Sequence, residues 1–276
     1  MKLIFFVFGV FCWSSAVSSV IEDAIDLQII AWDAGQPPPK LVATGVNLSL
    51  EDAYRVQTGF VDYISAGQDA DGFKGGLTGL GDPQRFDLEE PLAGVLPPGS
   101  GLKSIDNIFQ LDISKYHYAM VEMELGFIFR KKITGGDMSI QEIKDAVLAI
   151  FPVLELPDLG FAGNGSLHGK DIIAANASAK HYIVSSQTIN KDIEINDLVL
   201  KLYHNEELIT EGVGSDAMGD QWQALQWLIN QRLSSGWSIE PEQILITGAI
   251  GKMIPLLLGQ YRAEYGNQAS IQLDVR

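Results

Sequence analysis

The chain has 276 residues, of which 46% are apolar, so it can bury a sizeable core and is not an intrinsically disordered protein. Its formal net charge of −16 argues against nucleic acids and anionic membranes as partners. Without residues 1–18 the chain would keep 18 basic and 35 acidic residues, which strengthens that exclusion slightly.

The N-terminus has the pattern of a secretory signal peptide. Met1-Lys2 precedes an apolar run from Leu3 to Trp13, which small residues follow. Because the run is shorter than the roughly 20 residues of a spanning helix, we predict that residues 1–18 are a signal peptide cleaved after Ser18, with an uncleaved anchor as the alternative. The mature chain would then lose Cys12, its only thiol, which excludes disulfides and thiolate chemistry. We therefore expect an exported protein, periplasmic or secreted, without stable membrane insertion after cleavage.

Residues 19–70 predict a helical N-terminal region. Val20 to Ala34 has apolar residues at helical spacing and stops at Gly35, before a run of prolines. Ser49 is a suitable N-cap for a second helix, Leu50 to Ser65.

Residues 71–276 predict a mostly β domain. A short strand, Gly72 to Thr78, precedes a long loop from Gly79 to Asn107, and a capping box at Ser139 opens a helix to about Ala149. Further strands are predicted at Ile172 to Ser185, Asp197 to His204, Ile244 to Gly248, Gln260 to Tyr265 and Ser270 to Val275, with a helix at Gln221 to Leu233. Short strands with few helices between them favour an α+β chain with a mixed sheet over a doubly wound fold.

Two acids share one face of an otherwise apolar strand. The run from Tyr118 to Phe129 alternates, so Glu122 and Glu124 point the same way. Neighbouring carboxylates raise each other's pKa and oppose burial, and a hard dication would remove that cost. Glu155 lies in a second apolar segment and could complete a three-carboxylate site. The alternative is an ordinary solvent-facing strand.

Lys74 is the only charge in the glycine-rich strand from Gly72 to Thr78. It is either a surface lysine at a strand edge or a catalytic group. Covalent hydrolase and nucleotide-binding functions have little support, because the chain shows no nucleophile elbow and no phosphate-binding glycine loop.

Several motifs occur together in a fixed order. They are Asp52-Ala-Tyr-Arg-Val-Gln57, Gly72-Phe-Lys-Gly-Gly-Leu-Thr78, Glu122-Met-Glu124-Leu, Glu155-Leu-Pro-Asp158, Asn176-Ala-Ser178, the Gly212 to Leu228 segment and Ile246-Thr-Gly248. In this order they resemble the 2-keto-4-pentenoate hydratase family of the fumarylacetoacetate hydrolase superfamily, from about Ser49 to the C-terminus.

The resemblance implies a fumarylacetoacetase C-terminal-like mixed β-roll with a helical N-terminal region. It implies that Glu122, Glu124 and Glu155 hold Mg²⁺ or Mn²⁺, which chelates the carboxylate and 2-oxo groups of a small 2-oxo acid. Lys74 would be the catalytic group, as a proton carrier or carboxylate partner, and Leu77 and Ser178 would contact the substrate. By the same analogy the protein would be a homo-oligomer.

The chain departs from the family pattern at three positions. Leu92 replaces an aspartate that assists proton transfer, Gly160 replaces an arginine, and Ala175 replaces an aspartate before Asn176. Three functions therefore stay open: a metal-dependent hydratase acting on a 2-hydroxydienoate, a hydrolase or decarboxylase using the same site, and an exported protein that binds a 2-oxo acid without transforming it.

Overall fold

The computed structural model describes residues 12–105, 108–135 and 138–276, with side chains from Val20 onward. Most of the predicted signal peptide, residues 1–11, lies outside the described residues. The helices are α1 (Cys12–Asp33), α2 (Leu50–Ser65), α3 (Ile140–Ala146), α4 (Gly169–Ala174) and α5 (Gln221–Ser234). The strands are β1 (Gly72–Gly76), β2 (Leu92–Leu96), β3 (Phe109–Leu111), β4 (Met120–Phe129), β5 (Val147–Leu156), β6 (His181–Val184), β7 (Val199–His204), β8 (Glu207–Val213), β9 (Ile244–Ile246), β10 (Ile250–Pro255), β11 (Gly259–Tyr265) and β12 (Ala269–Val275).

Two mixed sheets form the body of the described chain. The larger has the order β2-β1-β9-β4-β5-β6, and β10 also pairs with β4. The smaller has the order β3-β12-β11-β7-β8. The pairs β1–β9 and β3–β12 are parallel, whereas the other ladders are antiparallel. The predicted α+β class with a mixed sheet is confirmed.

The main core joins the two sheets to α5. Phe127 of β4 packs against Trp222 of α5, with ring centroids 5.6 Å apart. Tyr265 of β11 is fully buried, and its hydroxyl donates to the Val153 carbonyl of β5. Since residues on both faces of β4 are buried, the alternating pattern of this strand does not mark a solvent face.

The N-terminal helices form a smaller apolar cluster. Ile21 and Ala24 of α1 are buried with Val56 of α2 and with Ala174 of α4. The capping box at Ser49 opens α2 at Leu50 as predicted. The boundary between residues 70 and 71 stays a prediction, as does cleavage after Ser18, which falls within α1. Within the described ranges, every helix is too short or too polar to cross a bilayer.

Three predictions of secondary structure were wrong in part. The segment from Gly79 to Asn107 is not all loop, since it contains β2. The segment from Ile172 to Ser185 is not one strand, because its first residues finish α4 and only His181–Val184 is extended. The helix after Ser139 ends at Ala146, where β5 begins. Strands β3, β8 and β10 were missed.

Candidate metal and substrate site

The three predicted glutamates converge on one face of the β4–β5 ladder. Glu122 lies directly across from Glu155 in the antiparallel register, and Glu124 follows two residues later on the same face. A carboxylate oxygen of each lies within 4.8 Å of the others. Glu124 and Glu155 are fully buried, whereas Glu122 borders a cavity. The alternative of a solvent-facing strand is therefore wrong for this pair of strands.

Lys74 of β1 is the cation beside these acids. Its side chain is 4% exposed, its ammonium group contacts Glu155 Oε1, and it donates to the Ala177 carbonyl at 3.1 Å. Burial alone would lower the pKa of Lys74, but the negative charges of Glu155, Glu122 and Glu124 together outweigh it and raise the pKa. Lys74 is therefore a charged, buried lysine, and the alternative of a surface residue is wrong.

One lysine cannot balance three carboxylates. Burial, followed by the charge of Glu155, raises the pKa of Glu122 to about 8, and the same two causes raise the pKa of Glu124 well above its usual range. Glu124 Oε2 accepts from the Gly248 amide at 2.6 Å. Glu124 Oε1 and Glu155 Oε2 have no hydrogen-bond partner within the described part of the chain. Buried oxygens that lack donors and share a small volume fit a hard dication such as Mg²⁺.

The position of Gly248 explains why the motif Ile246-Thr-Gly248 ends in glycine. Its φ is +101°, and a Cβ added there would lie 2.0 Å from Thr78 Oγ1. Only glycine therefore brings this amide onto Glu124. Thr247 fixes the adjoining turn, because its hydroxyl donates to Gln221 Oε1 at 2.6 Å.

A left-handed turn forms the wall beside Lys74. Asn176, Ala177 and Ser178 have φ values of +55°, +52° and +57°, a conformation that costs about 1–3 kcal/mol for each non-glycine residue. The Asn176 side chain accepts from the Val95 amide and donates to the Val95 carbonyl, both at 2.8 Å, and so ties the turn to β2. The turn directs the Ala177 carbonyl at Lys74 and buries the Ser178 hydroxyl, which has no partner among the described residues.

A cavity of about 450 Å³ opens beside these groups. It is lined by four of the predicted site residues: Lys74, Glu122, Leu77 and Ser178. Glu155 lies across the ladder from Glu122, and Glu124 lies two residues along β4. The structure thus brings the six predicted residues together, while their roles stay predictions.

The three departures from the family pattern occupy different places. Leu92 lies in β2 and lines the cavity, where it offers no titratable group. Gly160 packs against His117, since a Cβ added at Gly160 would lie 2.1 Å from His117 Cβ. An arginine therefore does not fit at this position in this backbone. Ala175 lines a separate cavity of about 380 Å³.

The sequence analysis did not predict a group of side-chain hydrogen bonds that hold β2 in place. Gln57 donates to the carbonyls of Ala93 and Ile173 at 2.9 and 3.0 Å, and the Tyr54 hydroxyl accepts from the Ala93 amide. The buried Arg232 donates to Gln57 Oε1 at 3.0 Å, and burial lowers the pKa of Arg232 to about 10. The sequence feature that could have indicated these bonds is the Asp52 to Gln57 motif, to which the sequence alone assigned no role.

Asp82 was also missed. It lines the cavity and pairs with Arg85 at 3.3 Å, and its charge contributes to the raised pKa of Glu122. Asp82 lies in the glycine-rich loop after β1, where the sequence gave no periodic pattern from which its position could be read.

Comparison with known structures establishes the class of fold. The solved structure of 4-oxalocrotonate decarboxylase from Pseudomonas putida G7, complexed with magnesium and adipate, superposes with a TM-score of 0.82 at 19% identity. The match covers 97% of this chain and 100% of that one. The chain therefore has the fumarylacetoacetase C-terminal-like mixed β-roll, with a helical N-terminal region, as predicted.

Curated relatives are more similar in sequence. The 2-keto-4-pentenoate hydratase of Paraburkholderia xenovorans is 26% identical over 240 residues, which cover 86% of this chain and 88% of that protein. The 2-oxo-hept-4-ene-1,7-dioate hydratase of Escherichia coli is 25% identical over 237 residues, or 81% of this chain and 86% of that protein. No protein-family model matches the chain. The similarity to hydratases and a decarboxylase supports an enzyme that acts on a small-molecule substrate.

Proposed function

We propose that the chain is a divalent-metal-dependent hydro-lyase that adds water to a 2-hydroxydienoate, in its 2-oxo-alkenoate form. The observation that carries the proposal is the convergence of Glu122, Glu124 and Glu155 beside Lys74 at the wall of a cavity. The hydratase relatives support the reaction class.

Glu122, Glu124 and Glu155 would hold the dication, which we propose to be Mg²⁺ or Mn²⁺. When bound, it would supply Lewis-acid stabilisation of negative charge on the 2-oxygen of the substrate. The donor set fits this ion because it consists of carboxylate oxygens that lack enough hydrogen donors of their own.

Lys74 would move the proton. In the metal-free protein its pKa is raised by the charges of the three glutamates, so it holds its proton firmly. Neutralising those carboxylates would remove the cause of the raised pKa and leave burial, which lowers it. Lys74 would then exchange a proton with substrate carbon within reach of its ammonium group.

Leu77 and Ser178 would orient the substrate. The Ser178 hydroxyl is buried and unpartnered within the described chain, so it can donate to a substrate oxygen without breaking another bond. The apolar side chains around it would keep bulk water from the reacting carbons.

A decarboxylase or carbon–carbon hydrolase is the second candidate. The observation that favours it is Leu92, which places a hydrocarbon where the family pattern has a proton-transferring aspartate. A neighbour of the same fold, the 4-oxalocrotonate decarboxylase, was solved with magnesium, which is compatible with this candidate. The third candidate, an exported 2-oxo acid binding protein, would keep the metal site without turnover.

The deciding experiment follows the ultraviolet absorbance of 2-hydroxypenta-2,4-dienoate with purified protein and Mg²⁺ or Mn²⁺. We expect metal-dependent loss of the dienoate absorbance with formation of a hydrated 2-oxo acid. Release of carbon dioxide from a 2-oxo diacid, without hydration of the dienoate, would favour the decarboxylase. Metal-dependent thermal stabilisation by pyruvate without any turnover would favour the binding protein.

We also propose export and self-association. Cleavage after Ser18 would remove the first part of α1 but leave the buried Ile21 and Ala24 in place. N-terminal sequencing of protein recovered from a bacterial periplasm or medium tests the cleavage, and light scattering of the purified protein tests for a homo-oligomer. An intact Met1 on exported protein would contradict cleavage.

A further inference from the structure

We infer that the substrate carries an uncharged alkyl or aryl group at the end remote from its 2-oxo acid. The apolar side chains that line the rest of the cavity would select this group. This inference rests on the proposed function, because the polar end of the substrate is placed by that proposal. The apolar part of the cavity wall carries it.

The polar groups of the proposed acid site lie close together. Lys74 and Glu122 line the cavity beside the buried carboxylates, and Ser178 follows Ala177, whose carbonyl accepts from Lys74. A 2-oxo acid bound by these groups directs its remaining carbons at the rest of the wall. The chemistry of that wall therefore decides what the remote end of the substrate can be.

The remaining wall is largely hydrocarbon. It is lined by Leu92, Leu159, Leu167, Ile172 and Phe86. Four of these pack in one apolar cluster, together with Leu77, and only Leu159 lies outside it. A carboxylate placed against this wall would lose water and gain no donor, whereas an alkyl or aryl group would be stabilised by burial.

The other charged residues of the cavity are more exposed than Lys74. The Arg85 side chain is 73% exposed and pairs with Asp82, so its charge already has a partner. Lys252 is exposed as well. Exposed charges add little binding energy because water screens them, so they offset little of the cost of placing a carboxylate against the apolar side chains.

The cavity is also larger than a five-carbon acid requires. Such a dienoate has about eight non-hydrogen atoms, which fill at most about 240 Å³ if each takes the share of one liquid water molecule. The cavity measures about 450 Å³. The difference is room for a butyl or phenyl group lying against Leu159 and Leu167.

The test is a binding series of saturated 2-oxo acids, which lack the alkene and cannot be hydrated. Pyruvate, 2-oxohexanoate, 4-phenyl-2-oxobutanoate and 2-oxoadipate are titrated into the full-length protein with Mg²⁺ by calorimetry. We expect 2-oxohexanoate to bind at least tenfold more tightly than 2-oxoadipate of equal chain length, and the phenyl acid more tightly than pyruvate. Equal or tighter binding of 2-oxoadipate would overturn the inference and leave the proposed function standing. Failure of all four acids to bind would overturn the proposed function and this inference together.

Variants locate the selectivity. Leu159→Lys and Leu167→Lys each place a cation on the wall, and we expect either to shift the ratio of the two affinities at least tenfold toward 2-oxoadipate. Leu167→Met is the matched control, because it keeps an apolar side chain of similar volume and should leave the ratio unchanged. If both folded lysine variants keep the wild-type ratio, the assigned wall is wrong. The series on the unmodified protein decides the inference even if a lysine variant does not fold.

Discussion

Binding of Mg²⁺ at pH 7 should release about one proton per site or more, because metal ligands must be deprotonated. Burial and Glu155 raise the pKa of Glu122 to about 8. A carboxyl with that pKa is about nine-tenths protonated at pH 7 in the metal-free protein. The pKa of Glu124 is also raised well above its usual range, so any proton that it carries adds to the release. Lys74 is protonated before metal binds, since its pKa is raised.

Calorimetry measures this release directly. Mg²⁺ is titrated in several buffers of equal pH and different ionisation enthalpy, and the slope of the observed heat against that enthalpy gives the number of protons. At pH 9 the contribution of Glu122 should fall to about 0.1 proton, because the carboxyl is by then mostly ionised. Below pH 8 the apparent affinity for Mg²⁺ should increase about tenfold with each unit of increasing pH, for each proton displaced.

A conservative variant of Glu122 tests whether this residue carries the released proton. Glu122→Gln should remove about one proton from the release at pH 7 and weaken Mg²⁺ binding, since one charged ligand is lost. Glu51→Gln, at an exposed residue in the first turn of α2, is the matched control and should change neither quantity. A release below about 0.2 proton at pH 7, or a release that is the same at pH 7 and pH 9, would refute the shared-charge reasoning.

Four further outcomes follow from the same structure. Because the pKa of Glu122 is raised when the protein folds, the metal-free protein should lose stability as pH rises from about 4.5 to about 8, and Mg²⁺ should reduce that loss, as thermal unfolding would show. Lys74→Met should lower kcat by at least about 100-fold while Mg²⁺ still binds in calorimetry. Asn176→Ala should lower the free energy of unfolding by about 2–4 kcal/mol in urea, since it removes two buried hydrogen bonds from a left-handed turn. Gly160→Ala should cost about 1–3 kcal/mol because its Cβ would overlap His117 Cβ, whereas Gly135→Ala, with open space around it, should be nearly neutral.

The first three of these have results that would contradict them. Metal-free stability that rises between pH 5 and 8 would mean that Glu122 is ionised without metal. An unchanged rate in Lys74→Met would remove this lysine from the reaction. An Asn176→Ala variant as stable as the unmodified protein would show that the two bonds to Val95 contribute little.

The glutamate site was predictable because it follows from strand periodicity. A period of two placed Glu122 and Glu124 on one face, and the cost of unbalanced acids in an apolar strand indicated a partner. The cross-strand register with Glu155 could not be read from the pattern, since pairing depends on the whole sheet.

The errors have physical causes as well. Strand β2 was predicted as loop because Pro91 precedes it and Gly94 interrupts it. Glycine is nevertheless required at position 94, because a Cβ at Gly94 would lie 2.7 Å from Ala177 Cβ. The apolar residues of α4 were predicted as strand because a short apolar run does not distinguish helix from strand. Burial of Arg232 against Gln57 depends on tertiary packing and leaves no local pattern.

The direct pairing of Glu122 with Glu155 has a consequence for how this scaffold can diversify. The acids are fixed by hydrogen-bonded rungs in the middle of a sheet, while Leu159, Leu167 and Phe86 come from connecting segments that tolerate substitution. New specificities can therefore be grafted by exchanging the connections alone, and an engineer who wishes to change the acid being processed can leave the ion-binding ladder untouched.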